Sequence, residues 1–224
     1  TGKIVKALKL PPNEKDSYTE TPDITAIVFD STGEKLVIGS TDNLIRIWDM
    51  NSGKIIHQMS GHHAEISTIM YSHNGRYLIS SSYDGSILLW DASTYELLAT
   101  VYLIGSEEYI IVTPENYYAC SKNGTSALAF RKGFTMYPFA LFDARYNRPD
   151  KVLERLKCTD TERIHAFYNA YKKRLQKEGL REDSMTSEAH IPQLKVENIN
   201  SIPLNASKPS VMLNLSASDN YSKI

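Results

Sequence analysis

The stretch DITAIVFDSTGEKLVIGSTDNLIRIWDMNSGKII at residues 23–56 is repeated, 42 positions further on, as EISTIMYSHNGRYLISSSYDGSILLWDASTYELL at residues 65–98. A Trp-Asp pair stands at the same place in both copies, at residues 48–49 and 90–91. A match of this length at one fixed offset indicates a supersecondary unit that is present twice.

Each copy divides into four short segments that are rich in β-branched and aromatic residues. Turn-forming sequences separate the segments: DSTGE or SHNGR after the first, TDN or YDG after the second, and MNSGK or ASTYE after the third. Gly, Asn, Asp and Ser at such positions favour tight turns between strands. Each copy is therefore predicted to form a unit of four β-strands.

The composition excludes several classes of protein. Of the 224 residues, 42% are hydrophobic and 23% are charged, which is typical of a globular chain and not of a disordered tail or a fibre. The net charge is −1 and no long basic run occurs, so nucleic-acid binding is disfavoured. No apolar stretch reaches the roughly 20 residues of a membrane span. Two cysteines, Cys120 and Cys158, are too few for a disulfide framework or a four-ligand zinc site. We therefore expect no cofactor, no metal and no membrane partner.

The repeat period and the Trp-Asp pair that ends the third segment resemble the WD-repeat family, whose members fold as β-propellers with four-stranded blades. In a third, eroded copy, Arg131 and Lys132 stand near where Trp-Asp is expected. The resemblance implies an all-β propeller fragment. It divides the region into five parts: the outer strand of a preceding blade (1–8), an inserted loop (9–23), a first blade (24–64), a second blade (65–104) and a degenerate last blade (105–132). Because a ring needs about 4–8 blades, missing blades or another chain are expected to close it.

Together, His62, Ser82 and Asp84 are residue types that a serine hydrolase uses. The resemblance gives them a different role, because WD-repeat blades hold a His, a Ser or Thr, an Asp and a Trp in one buried hydrogen-bond network. Buried imidazole and indole groups each need a polar partner, so the structural role is the preferred interpretation. The predicted network residues are His62, Ser82, Asp84 and Trp90 in the second blade and Ser40, Asp42 and Trp48 in the first. Glu20 replaces the histidine in the first blade, so we expect an incomplete network and a softer blade there.

In propellers of this family, partners tend to contact two positions at the start of a blade's first strand and one position before the turn aspartate. Loops held on a rigid scaffold commonly carry binding. Acidic and aromatic residues predominate at these positions, which favours a protein partner with a basic or mixed-charge surface. The alternative is that they are merely solvated loops. The candidate partner-binding residues are Asp23, Thr25, Thr41, Glu65, Ser67, Tyr83, Glu107, Tyr109 and Thr125.

The remainder of the chain follows a helical pattern and then a polar one. Pro149 suits the first position of a short helix, and Thr159 with Glu162 forms a capping box for a longer helix that Gly179 ends. An apolar stripe on the longer helix is expected to pack on the propeller or on a neighbouring domain; it comprises Ile164, Phe167, Tyr168, Tyr171 and Leu175. The predicted order is an aromatic-rich connector with helices at 133–180, a linker at 181–209 with one strand from residue 193, and the truncated start of a β-sandwich-like domain at 210–224.

The sequences YPFALFDARYNRPDKVLERL at 137–156, AYKKRL at 170–175 and PSVMLNLSASD at 209–219 resemble the corresponding junction in large bacterial WD-repeat proteins of the Bacteroidetes type. Those proteins carry a caspase-like peptidase domain further along the chain. Neither Cys120 nor Cys158 has the sequence setting of a caspase nucleophile, so this chain is not expected to be an enzyme.

Two functions follow from the sequence and its resemblances. In the first, the chain is a non-enzymatic interaction or scaffold module that recognises a protein, or its own downstream effector domain, and positions an effector. In the second, it is the regulatory half of a larger caspase-like cysteine peptidase whose catalytic domain is absent from these 224 residues. The two isolated cysteines favour a reducing, cytoplasmic location.

Overall fold

A computed structural model describes residues 10–11, 21–132, 135–137, 139–182, 193–196 and 215–218. The chain separates into two compact units, Thr1–Gly179 and Leu180–Ile224. The predicted outer strand at 1–8 and most of the predicted inserted loop at 9–23 lie outside the described residues.

The first copy of the repeat forms a four-stranded antiparallel sheet, with its strands in chain order. Tight turns connect the strands, and Gly33 occupies the left-handed region (φ +74°) in the first of them. The Asp30 carboxylate stabilises that turn by accepting a hydrogen bond from the backbone N–H of Lys35 at 3.0 Å. The strands are β1 Ile24–Phe29, β2 Lys35–Ser40, β3 Ile45–Asp49 and β4 Lys54–Met59.

The second copy lies in a larger antiparallel sheet of six strands, again in chain order. The first four strands repeat the pattern of the first sheet, and two more follow them. The strands are β5 Ile66–Tyr71, β6 Tyr77–Ser82, β7 Ser86–Asp91, β8 Leu97–Ile104, β9 Glu108–Val112 and β10 Tyr118–Cys120.

The structure differs here from the degenerate blade expected at 105–132. β9 pairs directly with β8, with Ile104 opposite Glu108, so β9 and β10 extend the second sheet instead of starting another. The cause is the length of the connection. Gly105 (φ +62°) begins a three-residue turn that reverses the chain into a hairpin, whereas residues 60–65 between β4 and β5 are long enough to reach a new sheet. The stretch with Arg131 and Lys132 lies in a separate hairpin, β11 Phe130–Lys132 with β12 Thr135–Tyr137.

The main hydrophobic core lies between the two sheets. The first sheet contributes Val37, Ile45, Ile47 and Met59, and the second contributes Ile66, Ile69, Leu78, Leu88 and Trp90. The sheets lie close together at Gly39, where a Cβ atom would lie 2.5 Å from Cγ2 of Ile66. Only glycine fits at this position without moving one of the sheets.

Three helices form the connector: α1 Phe139–Tyr146, α2 Pro149–Arg155 and α3 Thr161–Glu178. Pro149 occupies the first turn of α2, and Gly179 ends α3 in the left-handed conformation. The N-cap of α3 is Asp160, and not the Thr159 of the predicted capping box, because the Asp160 carboxylate accepts the N–H of Arg163 at 2.9 Å. In the apolar stripe of α3, Tyr171 and Leu175 are buried while Phe167 stays exposed.

The connector is fastened to the second sheet at two places. The end of α2 lies beside β6 and β7, where Lys157 Nζ contacts Asp91 at 2.6 Å and Tyr77 donates to the carbonyl of Leu156 at 2.5 Å. α1 reaches β10 through a hydrogen bond from the Tyr118 hydroxyl to Asp143. Between α1 and α2, Arg148 and Asp150 form a buried ion pair at 2.8 Å, with the guanidinium 4.0 Å from the Tyr171 ring centroid.

In the unit Leu180–Ile224, two strands pair antiparallel: β13 Gln193–Val196 and β14 Leu215–Ser218. The strand expected at Gln193–Glu197 within the linker at 181–209 is thus present over Gln193–Val196, and it pairs with a segment of the expected β domain at 210–224. The β-sandwich continuation stays a prediction, since the rest of both segments lies outside the described residues.

Candidate protein-binding site

A buried polar network crosses the interior face of the second sheet. His62, which precedes β5, places its Nε2 2.8 Å from Ser80 Oγ and its Nδ1 3.3 Å from the Asp84 carboxylate. The indole N–H of Trp90 donates to the same Ser80 oxygen at 2.9 Å. Ser86 joins His62 and Asp84, at 3.1 and 2.6 Å. Three of the four predicted residues, His62, Asp84 and Trp90, thus lie in one network.

Ser82, the fourth predicted residue, meets this network only by accepting the backbone N–H of Asp84 at 3.2 Å, and its place between the two rings is taken by Ser80. Residues two apart on a strand point to the same face but are about 6.6 Å apart, so only one of these hydroxyls can meet both rings. The Ser82 hydroxyl instead donates to the carbonyl of Ala64 at 2.9 Å. Ser80 and Ser86 are the network residues that the sequence reasoning missed. The signal for them is that each falls at an inward-facing position of its strand, Ser80 on β6 and Ser86 on the neighbouring β7.

The environment keeps His62 uncharged and Asp84 charged. Burial lowers the pKa of His62, against the opposing influence of the nearby Asp84 carboxylate. Burial would raise the pKa of Asp84, but hydrogen bonds from Ser86 and from the backbone N–H of His63 outweigh it and lower the pKa to about 2. A neutral imidazole bonded to Ser80, with Ser82 bonded to a carbonyl, is a structural arrangement and does not pair Ser82 with His62 as a hydrolase would.

The first sheet carries a different polar cluster. Ser40 donates to Asp42 at 2.6 Å as part of a buried ion pair in which Arg46 Nη2 lies 2.6 Å from Asp42. Hydrogen bonds from Arg46 and Ser40 lower the pKa of Asp42 although burial alone would raise it. Trp48 lies on the same face of the sheet as Ser40 and Arg46, opposite the core between the sheets, and packs among Leu10, Leu36 and Ile38. Ile38 is the counterpart of Ser80 in the repeat, so the first sheet lacks that hydroxyl at this point; Glu20 lies outside the described residues.

The candidate partner-binding residues lie mainly at one end of the strands, and this end is the same in both sheets. We call the surface formed by these strand ends the binding edge. It is the end at which β1, β5 and β9 begin and β2, β6, β8 and β10 end. At this edge the backbone carbonyl of Glu65 accepts the N–H of Tyr83 at 3.1 Å. The N–H of Thr41 donates to the carbonyl of Asp23 at 3.0 Å, and the N–H of Asp23 donates to the Thr41 hydroxyl at 3.1 Å. Short backbone contacts therefore hold these loop residues in fixed positions.

The β8–β9 hairpin brings further residues to the binding edge. Its last pairs, Leu103 with Tyr109 and Ile104 with Glu108, extend beyond Ser86, where β7 begins. Glu107 lies exposed in the hairpin turn. The Glu108 carboxylate accepts hydrogen bonds from Ser121 and from the Asn123 side chain, which lower its pKa.

Large apolar side chains at the binding edge face solvent. Tyr83 is 76% exposed, Leu103 is 64% exposed and Tyr109 is 42% exposed. Leu103 is a residue that the sequence reasoning missed. Its position depends on β8 being eight residues long, two more than β4, and the mostly apolar run LLATVYLI at 97–104 is the signal of this in the sequence.

Three further candidate residues differ in how open they are to a partner. Thr25 is exposed on β1, and Ser67 is partly buried, with its hydroxyl 2.8 Å from that of Ser81. Thr125 lies in a 3₁₀ turn, Gly124–Ala127, that follows β10. Ser67 is thus engaged within the second sheet, whereas Thr25 is open to solvent.

Within the described ranges, no three or more His, Cys, Asp and Glu side chains are grouped so as to hold a metal ion. None of the helices there is both long and apolar enough to span a bilayer.

Residues 9–49 and 53–91 match the family model described as "WD domain, G-beta repeat". The chain therefore contains WD40 repeats. Both matches end at the aspartate of a Trp-Asp pair, Asp49 or Asp91, as the family resemblance implied. The second WD40 match begins next to β4 and ends with β7, so a single repeat runs from the outer strand of the first sheet into the second sheet.

Part of the chain is similar to two solved structures, titled "Structure of U3-55K" and "Crystal structure of RRP9 WD40 repeats". The first is 20% identical with a TM-score of 0.35, and the match covers 45% of this chain and 39% of the other. The second is 19% identical with a TM-score of 0.35, covering 50% and 42%. The chain thus spans about two fifths of the length of these solved chains.

Proposed function

We propose that this chain is a non-enzymatic protein-interaction module that binds its partner at the binding edge. The observation that carries the proposal is the exposure of Tyr83, Leu103 and Tyr109 along one edge of two packed sheets. Contiguous exposed apolar side chains beside polar ones are typical of protein-binding surfaces, and tyrosine is enriched among the residues that dominate binding energy. A rigid sheet holds these side chains in place, so little order has to be gained on binding.

The charges at the binding edge favour a basic or mixed-charge partner. Glu65, Glu107 and Asp23 are exposed there. Glu108 stays ionised because its hydrogen bonds lower its pKa. Complementary charge at an interface mainly increases the association rate and the specificity. We expect the partner to present Lys or Arg side chains around an apolar pocket that receives Tyr83.

Site-specific photocrosslinking tests this proposal. p-Benzoylphenylalanine is placed at position 83 or 109 in cells of the native host, and at Ile56 and Phe167 as matched controls, because both are exposed apolar residues away from the binding edge. We expect the same protein to be crosslinked from positions 83 and 109 but not from the controls. In a binding assay with that purified protein, Glu107→Lys is expected to weaken association. Equal crosslinking from all four positions would overturn the proposal.

We also propose, as the second candidate, that the chain is the regulatory half of a caspase-like cysteine peptidase. What supports it is the resemblance of residues 137–156, 170–175 and 209–219 to the junction that precedes a caspase-like domain in large WD-repeat proteins. In the structure, Lys157, Tyr77 and Tyr118 fasten the connector to the second sheet, so the two are positioned together. The test is the peptidase activity of the parent protein with and without Tyr83→Ala and Asp91→Ala. Activity that neither variant changes, or a parent without peptidase activity, would contradict it.

The remaining parts of the proposal concern assembly and location. Closure of a propeller ring by further blades or by another chain predicts that the isolated chain self-associates, which light scattering after size-exclusion chromatography measures. A cytoplasmic location predicts that Cys120 and Cys158, both free thiols in the structure, remain reduced in cells. Alkylation of freshly lysed cells, followed by mass spectrometry, reads this out directly.

A further inference from the structure

We propose that the groove between the first turns of the two sheets binds a carboxylate that is attached to an apolar chain. The groove lies at the opposite end of the strands from the binding edge, between the β1–β2 turn and the β5–β6 turn. Its volume is about 640 Å³, within the range of about 300–1,000 Å³ that small-molecule and side-chain pockets occupy. This proposal does not depend on the protein-binding function of the binding edge.

The groove has an apolar component that faces solvent. Phe29 is 52% exposed and Met70 is 49% exposed, and both line the groove together with Val28 and Ala92. Because burying apolar surface contributes roughly 25 cal/mol per Å², covering these two side chains favours an occupant with an aliphatic or aromatic chain. A purely polar ion would leave Phe29 and Met70 uncovered.

The groove contains a charged donor and neutral donors. Lys35 Nζ donates to the Tyr95 hydroxyl at 3.1 Å, which uses one of the three N–H groups of the ammonium. The hydrogen bond to Tyr95 raises the pKa of Lys35, so the ammonium stays charged at neutral pH. Burial raises the pKa of Tyr71 to about 12, so its hydroxyl also keeps its proton. Two kinds of donor, an ammonium from the first sheet and a phenol from the second, thus line the groove.

The one carboxylate in the groove lining is already engaged. Asp30 accepts the backbone N–H of Lys35 at 3.0 Å and the hydroxyl of Thr32 at 2.7 Å, both within its own turn. Asp30 directs both of these bonds into its own turn, whereas Lys35 uses only one of its three N–H groups within the groove. The ammonium can therefore donate to an occupant, and a carboxylate accepts strong charge-assisted bonds from an ammonium.

The same chemistry has two possible sources, a free aliphatic acid or an acidic side chain beside apolar residues in a peptide. Titrations monitored by protein amide NMR compare hexanoate, hexylammonium and 1-hexanol, which share one apolar chain and differ in the head group. The peptide acetyl-Leu-Glu-Leu-amide is titrated in parallel to distinguish the two sources. We expect both carboxylates to shift the resonances of Phe29, Tyr71 and Gly75, and the tighter of the two identifies the source.

Three variants connect binding to the proposed donors. Lys35→Met keeps the length of the side chain without its charge and is expected to weaken hexanoate binding about tenfold, while Tyr71→Phe is expected to weaken it a few-fold. Lys54→Met removes an exposed lysine of β4 outside the groove and is expected to change nothing. Thermal melts check that each variant is folded. Tighter binding of hexylammonium or hexanol than of hexanoate, an unchanged affinity in Lys35→Met, or no binding of either carboxylate would overturn the proposal.

Discussion

At the scale of single residues, the second sheet depends on one hydroxyl. Ser80 Oγ meets both the imidazole of His62 and the indole of Trp90, and all three residues are buried. A hydroxyl has one donor and two acceptor positions, so it can satisfy both rings at once. No other single side chain in the network contacts both rings.

Removing that hydroxyl is expected to destabilise the chain more than removing its neighbour on the strand. Ser80→Ala leaves two buried groups without their partner, at a cost of about 2–4 kcal/mol in the free energy of unfolding. Ser82→Ala removes the bond to the carbonyl of Ala64 and the acceptor of the Asp84 N–H, both only partly buried, and is expected to cost about 1–2 kcal/mol. Urea unfolding of both variants measures the difference. A larger loss for Ser82→Ala would show that the network is centred on the originally predicted serine.

The network also makes stability depend on pH. Burial lowers the pKa of His62 below 6.5, the ordinary value of the unfolded chain. Just below pH 6.5, His62 therefore binds a proton in the unfolded chain but not in the folded chain. Stability from this site is therefore fully present above pH 6.5 and declines as the pH falls through the folded pKa. The lowered pKa of Asp84 adds a second loss between about pH 4 and 2.

Thermal melting from pH 8 to pH 5 tests the histidine part. We expect the wild-type melting temperature to fall below pH 6.5, and a His62→Gln variant, which cannot titrate there, to show a flatter dependence. Other histidines are common to both proteins, so the difference between the two curves isolates His62. Parallel curves would mean that His62 titrates equally in the folded and unfolded states.

At the scale of elements, α2 is joined to the second sheet by a residue in a strained conformation. Lys157 follows α2 with φ +54°, in the left-handed region that glycine occupies at least cost. Its side chain reaches Asp91, where this contact and hydrogen bonds from Ser93 lower the pKa of the carboxyl. The ammonium is about half exposed, so screening by water limits the contribution of the ion pair.

Two substitutions separate the backbone from the side chain at Lys157. Lys157→Ala loses the ion pair and keeps the strain, whereas Lys157→Gly loses the ion pair and relieves the strain. We expect the glycine variant to be about 1 kcal/mol more stable than the alanine variant in denaturant unfolding. If alanine equalled glycine, φ at this position would not be positive in solution.

The strands could be predicted from the sequence, and their partners only in part. Within each repeat, turn residues and alternating apolar residues are local, so β1–β8 follow from reading a few positions at a time. The pairing of β9 with β8 depends on the length of the turn at Gly105 and on the helices that cover β10. The alternation of apolar and polar residues along the strands predicts neither of these. The choice of Ser80 over Ser82 and the ion pair of Arg46 likewise depend on distances across strands. Exposure of Leu103 follows from the same unforeseen hairpin.

At the scale of the whole molecule, the two sheets are held together by close packing at Gly39. A methyl group there would meet Ile66 Cγ2 at 2.5 Å, well inside van der Waals contact. Gly39→Ala is therefore expected to cost about 1–3 kcal/mol, because one sheet must shift. Combining it with Ile66→Ala opens space for the methyl group, so the double variant should lose less than the sum of the two single losses. Additive losses in urea unfolding would show that the sheets are not in contact at this point.

The β8–β10 extension has a consequence for how the protein behaves at high concentration. Without β9 and β10, the eight-residue β8 would be an open edge, and such edges recruit strands from other molecules and aggregate. The outermost strand is instead β10, only three residues long, and Asn147 and Arg148 bridge to Tyr118 along its free side. On its outer side, the described part of the second sheet thus presents only a short and partly covered strand to other molecules, and the connector that follows it acts as a built-in guard against self-templated assembly.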